Sequence, residues 1–478
     1  MLQRVWRCLT VSLICAGACV GVLAAEPAST EPCVESVADG ASAPAPRLAR
    51  LHYRCLTLQK GQRVLVGEAG LKHPRTVMLV HGLGNNAHRD WGAVVSALAV
   101  DYHVVALDLP GFGASPGAPD GYSFPALGRV LAEVVQQTAP GQRVHVVGHS
   151  LGGAVSLYFA HAHADKVDRL VLVDAAGILL KMVFAQHIAS LRTRQVGIAP
   201  LDNLLKGLSE RLNGVRRLVF NDLDNRFDFS RWLAQNPGVR NTLLGRYTQV
   251  EAGLGLVEHD FTAAIRETTA PTTVIWGRED PIAPLRTGKL LAERMPDARL
   301  KVIDGVGHTP MLESPETFKR LLQEALSAPL APKPAPDAVE PSQGHVLCQN
   351  KADQRYSGSF DSLTLENCAD ARIEGARLKQ LTLKSSSVTL DNSVIESKDV
   401  ALTAQQSEVT ATGVQLRGRV AISADDSRLD LAGASLHASE RNVEMPTPSR
   451  LYFSVSDLHG SDYNGDAHLL WHTRPAAK

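Results

Sequence analysis

Three side chains scattered along the 478 residues form a set able to carry out acyl transfer: Ser150 in "VHVVGHSLGGAVSLYFA", Asp280 in "WGREDPIAP" and His308 in "IDGVGHTPMLESP". A serine hydroxyl attacks a carbonyl readily only when an imidazole takes its proton, and the imidazole works best when a carboxylate fixes its tautomer. The surroundings of Ser150 single it out. Gly148 and Gly152 flank it in the pattern G-x-S-x-G, an aliphatic strand at 143–147 runs into it, and a helix of small and apolar residues leaves it. Such a turn strains the serine backbone and lifts its hydroxyl above the sheet edge; side chains on the flanking glycines would collide with the neighbouring strand and helix. Asp280 and His308 each stand just beyond a further aliphatic run, His308 in a glycine-flanked loop. His161 and His163 are expected merely to end a helix, whereas Glu279 and Asp174, the latter closing the run "RLVLVDA", remain alternatives for the acid. The developing oxyanion needs backbone donors. The N–H groups of Leu83, in the Gly-rich "VHGLGNN", and of Leu151, at the helix start, are the candidates, and one such donor is worth roughly 3 kcal/mol.

Elements that bring these groups together are legible from residue 48 to 327. Short aliphatic runs, "TVMLVHG", "HVVALDLPG", "RVHVVGHS", "RLVLVDA", "TTVIWG" and "LKVIDGVGH", alternate with amphipathic stretches such as "FPALGRVLAEVVQQ". Runs of that kind fill a parallel sheet covered by helices on both faces. Residues 178–262 break the rhythm with leucines at helical spacing, Leu204, Leu205, Leu208 and Leu212 among them, which predicts a helical insertion serving as a lid.

Taken together, "HGLGNN", "DLPGFGAS", "GHSLGG", "WGREDPIAP" and "GVGHTPMLESP" resemble the α/β-hydrolase superfamily, in the subgroup with a helical cap between two sheet strands, over residues 50–325. The resemblance implies Ser150 as nucleophile, Asp280 as orienting acid, His308 as base and the cap at 178–262 as substrate lid. It also implies that epoxide opening and dehalogenation are disfavoured, because members with those activities carry Asp where this chain has Ser150. "DLPGFGAS", with Gly111 and Gly113, lacks the lysine of a phosphate loop and the third glycine of a dinucleotide site, and reads as a loop after a strand.

Five prolines in "PLAPKPAPDAVEP" make 328–345 a stiff linker to a second domain, 346–478. There Ser387, Ser407 and Ser427 recur at a step near 20, followed by Val388/Leu390, Val409/Ala411 and Leu429/Leu431. A fixed period with short alternating runs predicts stacked coils of a small all-β solenoid. Residues 361–440 hold no aromatic side chain, so sugar stacking is not favoured there. "DYNGD" places Asp462, Asn464 and Asp466 at calcium-loop spacing, but Ala467 and Thr473 stand where that loop requires Gly and Glu, and the segment reads as a turn.

The first 25 residues, basic Arg4 and Arg7 before a short apolar stretch ending in Ala24 and Ala25, read as a secretory leader, with an uncleaved anchor or lipidation at Cys19 as alternatives. Residues 26–47 read as a flexible tether. Removing the leader leaves four cysteines, expected to pair as Cys33–Cys55 and Cys348–Cys368 because each pair then closes a loop within one region. Lys plus Arg equals Asp plus Glu at 49 each, and no basic patch interleaved with aromatics occurs, which argues against nucleic acid as a partner. The expected protein is thus a periplasmic or secreted serine hydrolase cleaving small to medium apolar carboxylic esters through an acyl-enzyme, with no metal or organic cofactor. The alternatives are carbon–carbon bond hydrolysis on the same fold, or an envelope-binding or adhesion protein in which the solenoid meets an envelope or protein partner.

Overall fold

A computed structural model describes residue 33 and residues 51–84, 88–118, 120–179, 248–332 and 341–472. The leader, nearly all of the tether and most of the predicted lid, 180–247, lie outside the described residues.

The first domain is built on an eight-stranded sheet of β1 (His52–Thr57), β2 (Arg63–Ala69), β3 (Thr76–Val80), β4 (His103–Leu107), β5 (Val144–His149), β6 (Val167–Val173), β7 (Thr272–Gly277) and β8 (Ala298–Ile303). Their order is β1-β2-β4-β3-β5-β6-β7-β8. Only the β1–β2 and β2–β4 pairings are antiparallel. Helices α1 (His88–Leu98), α2 (Phe124–Thr138), α3 (Leu151–Ala162), α4 (Thr248–Glu258), α5 (Thr262–Glu267), α6 (Leu285–Arg294), α7 (Pro310–Glu313) and α8 (Pro315–Ser327) connect the strands or follow the last one. The aliphatic runs read as doubly covered strands because successive residues do point to opposite faces. Met78, Val80, Val105 and Leu107 join one core with α2 and α3, while Val77, Leu79, Val104 and Ala106 join the other with Trp91 and Leu98 of α1 and Phe318 and Leu322 of α8.

The second domain is a three-faced parallel coil. Strands at 362–366, 371–374 and 377–378 form the three sides of one turn and pair in parallel with 381–384, 387–391 and 394–396 of the next. Each side turns one aliphatic row inward: Leu363, Leu381, Leu402 and Ile422; Val388, Val409, Leu429 and Leu451; Leu378, Ile395, Leu416 and Leu436. The predicted aliphatic pairs are in register, but the serine column needs a correction of one residue. Ser387 pairs with Glu408, and it is Ser386 that aligns with Ser407 and Ser427. The reason is a corner. Each of these hydroxyls accepts a backbone N–H from one coil earlier, Cys368 N to Ser386 Oγ at 3.0 Å, Ser386 N to Ser407 Oγ at 3.1 Å and Ser407 N to Ser427 Oγ at 3.0 Å, satisfying an amide the sheet ladder leaves unpaired. The antiparallel strand 464–472 covers the last coil.

Both expected disulfides are formed, Cys33–Cys55 with Cα atoms 5.5 Å apart and Cys348–Cys368 with Cα atoms 6.6 Å apart. Asp462 acts as an acceptor within the fold, Oδ1 taking the Asn442 backbone N–H at 2.9 Å and its side-chain amide at 2.8 Å. Among the described residues no helix is long and apolar enough to cross a membrane.

Candidate active site

Ser150 sits between β5 and α3 at φ 50°, ψ −116°, a left-handed conformation costly for a residue with a side chain. Crowding explains its glycine neighbours. A Cβ on Gly148 would lie 2.3 Å from the Gly152 carbonyl oxygen, and one on Gly152 would lie 2.3 Å from the carbonyl oxygens of both Val80 and His81. The elbow is held by the Ser150 N–H donating to the Val173 carbonyl at 3.0 Å.

Asp280 follows β7 and His308 follows β8, so their side chains arrive at the same carboxyl edge of the sheet as Ser150. The Ser150 hydroxyl donates to His308 Nε2 at 3.0 Å, and His308 Nδ1–H donates to Asp280 Oδ2 at 2.7 Å. Asp280 Oδ1 in turn accepts the N–H groups of Ile282 at 2.7 Å and Ala283 at 3.0 Å, which fixes the carboxylate plane before α6 begins. All three side chains are buried. The tautomer follows from the partners: a proton on Nδ1 leaves Nε2 as the lone-pair base facing the hydroxyl.

The two alternative acids lie elsewhere. Glu279 turns away and accepts the Val306 N–H at 3.0 Å. Asp174, at φ 43° beyond β6, is fully buried beside Asp280 and accepts the Gly277 N–H at 2.9 Å. Burial, reinforced by the negative charge of Asp280, holds its carboxyl well above the usual carboxylate range, so it stays protonated. His161 lies in the last turn of α3 and His163 caps that helix, as expected of a helix end.

Leu151 opens α3. The Gly82–Leu83 turn passes over the elbow: a Cβ on Gly82 would stand 3.1 Å from Ser150 Cβ. The Leu83 turn and the first residue of α3 therefore both border Ser150. Side chains that no motif marked as functional hold the surrounding loops. His81 accepts the Leu109 N–H on Nε2 at 2.9 Å and donates from Nδ1 to the Gly82 carbonyl at 2.6 Å. Glu313 on α7 accepts the N–H groups of Gly307 at 2.7 Å and Thr309 at 2.9 Å, bracketing His308. Burial would raise the Glu313 carboxyl, but those backbone donors outweigh it and hold it below its ordinary value. Asp90 on α1 and His149 on β5 also belong to this shell: Asp90 Oδ2 accepts the Gly82 N–H at 2.8 Å and lies 2.8 Å from His149 Nδ1. His149 was visible only as the variable residue before the serine, and Asp90 and Glu313 carried no spacing that tied them to it.

Known proteins of similar sequence match this first domain. A pimeloyl-[acyl-carrier protein] methyl ester esterase of Aeromonas hydrophila is 30% identical over 261 residues, 52% of this chain and 93% of the relative. A poly(3-hydroxyalkanoate) depolymerase of Ectopseudomonas oleovorans is 29% identical over 272 residues, covering 56% and 91% of the two chains. A 2-hydroxy-6-oxononadienedioate/2-hydroxy-6-oxononatrienedioate hydrolase of Cupriavidus pinatubonensis is 28% identical over 258 residues, covering 52% and 86%. The family model described as "alpha/beta hydrolase fold" matches residues 75–315, which span the elbow, Asp280 and His308, and the chain therefore belongs to the α/β-hydrolase family and is a hydrolase.

Proposed function

We propose that the protein is an exported serine hydrolase that cleaves carboxylic esters through an acyl-enzyme. The observation that carries this reading is the buried relay Ser150–His308–Asp280, with contacts of 3.0 Å and 2.7 Å. His308 takes the hydroxyl proton as Ser150 Oγ attacks the ester carbonyl, Asp280 holds the imidazole and offsets its charge, and the Leu83 and Leu151 N–H groups receive the oxyanion. His308 then protonates the leaving alcohol, and a water activated by the same imidazole releases the acid. The names of two relatives, a methyl ester esterase and a polyester depolymerase, favour esters. The name of the third keeps carbon–carbon cleavage of a vinylogous diketone as the second reading.

A panel of p-nitrophenyl esters of graded acyl length, assayed beside a 2-hydroxy-6-oxo-dienoate, separates the two. Ester turnover with fluorophosphonate labelling, both lost in Ser150→Ala, is expected; a folded wild type that is neither labelled nor active on esters would overturn the reading. Export is supported by the leader-like first 25 residues and by the two disulfides, bonds that persist in oxidising compartments. Fractionation with N-terminal sequencing is expected to find the chain outside the cytoplasm beginning near Glu26; an unprocessed cytoplasmic chain would refute export.

A further inference from the structure

His149, the residue before Ser150, is the meeting point of three loops. Its Nδ1 lies 2.8 Å from Asp90 Oδ2 and its Nε2 lies 2.8 Å from the His308 carbonyl oxygen. Both partners are acceptors. A neutral imidazole has one N–H and leaves one of them facing a lone pair, so the ring that satisfies both is the doubly protonated imidazolium. It is buried at 4% exposure with the carboxylate of Asp90 as its counter-charge, and the edge of Trp91 packs on it. Burial would push its proton off, but the Asp90 charge and the hydrogen bonds to Asp90 and His308 outweigh that and hold His149 above the ordinary imidazole value. Burial likewise opposes the Asp90 charge, and His149 with the Gly82 N–H holds that carboxyl below its ordinary value.

Asp90 Oδ2 also takes the Gly82 N–H, so a single ion pair ties the turn carrying the Leu83 donor to the main chain carrying the base. We propose that His149, as an imidazolium paired with Asp90, is a positioning residue that locks the oxyanion turn and the His308 main chain into one body, presetting donors, base and hydroxyl before substrate arrives. This rests on the ester-hydrolase reading. The cation has a second effect, because its ring centroid is 5.1 Å from that of His308. The other charged or titratable groups here are Asp280 beyond β7, Asp174 beyond β6, Glu313 on α7 and His81 beyond β3, whose two hydrogen bonds suit a neutral ring. The His149 charge, 5.1 Å away and opposite in sign to the carboxylates of Asp280 and Glu313, is part of the field at the base, and its removal changes that field.

The test compares wild type, His149→Gln and Asp90→Asn for kcat and KM on one p-nitrophenyl ester from pH 5 to 9. His149→Gln is expected to lower kcat about 10- to 100-fold, the order of loss expected from misplaced groups, with KM within about threefold, and to move the acid limb of kcat/KM to higher pH. Asp90→Asn keeps the shape but cannot hold the ring doubly protonated, and is expected to move that limb the same way by less, the cation being nearer His308 than Asp90 is. A variant-free measurement covers the event that either substitution fails to fold. Nitrogen-15 spectra of the wild-type imidazoles are expected to show a histidine that stays protonated on both nitrogens above the free-imidazole range. Absence of that ring, or variants with kcat within twofold and an unmoved acid limb, overturns the inference while Ser150-dependent turnover of the wild type stands. A wild type with no Ser150-dependent turnover fails the parent reading and takes the positioning role with it.

Discussion

At the scale of residues, two carboxyls reach the space behind His308 with different hydrogen-bond partners. Asp280 is paired by two backbone amides and the imidazole N–H, whereas Asp174 has one backbone donor, and burial with the Asp280 charge raises its carboxyl. Replacing each with its amide therefore separates them. Asp280→Asn presents an N–H where an acceptor is required, inverts the tautomer, and is expected to lower kcat about 10³- to 10⁴-fold. Asp174→Asn replaces a neutral donor with another and is expected to leave kcat within about threefold, as is Glu279→Gln, whose partner is a loop amide. Steady-state kinetics on one ester checks all three, and equal losses at positions 174 and 280 would refute the assignment.

Among the elements, β5 and α3 carry the strain of the elbow, and the two glycines are the only residues its crowding admits. Gly152→Ala places a methyl 2.3 Å from two carbonyl oxygens, neither of which can move without shifting β3 and its loop. Overpacking of this kind costs about 1–3 kcal/mol. The expected result is a lower midpoint in urea together with near-complete loss of activity, since Ser150 is displaced by the same shift. The same strand carries a pH-sensitive group away from the site. His145 is buried, and that burial, outweighing Asp168 nearby, lowers its pKa to about 4. Its folded value is depressed below the unfolded one, so the unfolded chain binds the proton first and stability falls as pH drops from about 6.5 toward 4. His145→Asn is expected to flatten that decline, by up to about 3 kcal/mol at the acid end, when midpoints are compared at pH 7 and pH 4.5.

Across the whole molecule, the solenoid is docked through α5 and α6. Arg286 makes a two-pronged contact with Asp430 at 2.5 and 3.1 Å, Lys289 reaches Asp391 at 2.7 Å, and Arg294 and Arg266 both pair with Asp457. Gly433, at φ 62°, is packed so closely on α6 that a Cβ would lie 2.7 Å from Leu290 Cδ1, and Ala432, Tyr452 and Val455 belong to the hydrolase core. The helix clamped in this way is the one whose approach, at Ile282 and Ala283, holds Asp280. This shared apolar seam with its ion pairs predicts one calorimetric transition for both domains rather than two. Burial raises the Asp457 carboxyl, but Arg266 and Arg294 outweigh it and hold it below its ordinary value. Its contribution is therefore present above the unfolded carboxylate value and lost as pH falls through the folded one. Asp457→Asn is expected to cost about 1–3 kcal/mol at pH 7, less than a fully buried pair because solvent screens it, and the difference is expected to shrink as pH is lowered below the ordinary carboxylate value. Two separate transitions, or a penalty that does not shrink at low pH, would contradict this docking.

What the sequence by itself determined was local chemistry and period. Gly148, Ser150 and Gly152 between an aliphatic run and a small-residue helix specify an elbow because the steric conflict is among near neighbours, and the recurrence of Val388, Val409 and Leu429 specifies a coil because the step is fixed. Tertiary structure decided whatever depends on which strands lie side by side. Asp174 and Asp280 both close strands, and only the packing of β6 against β7 makes one the imidazole's partner and the other a neutral neighbour. The serine column is Ser386, Ser407 and Ser427 because a corner hydroxyl must meet an amide one coil away, which periodicity resolves only to within a residue. Asp90, His149 and Glu313 reach the site from α1, β5 and α7, and no pattern links them, since their juxtaposition is a property of how three chain segments cross the end of the sheet.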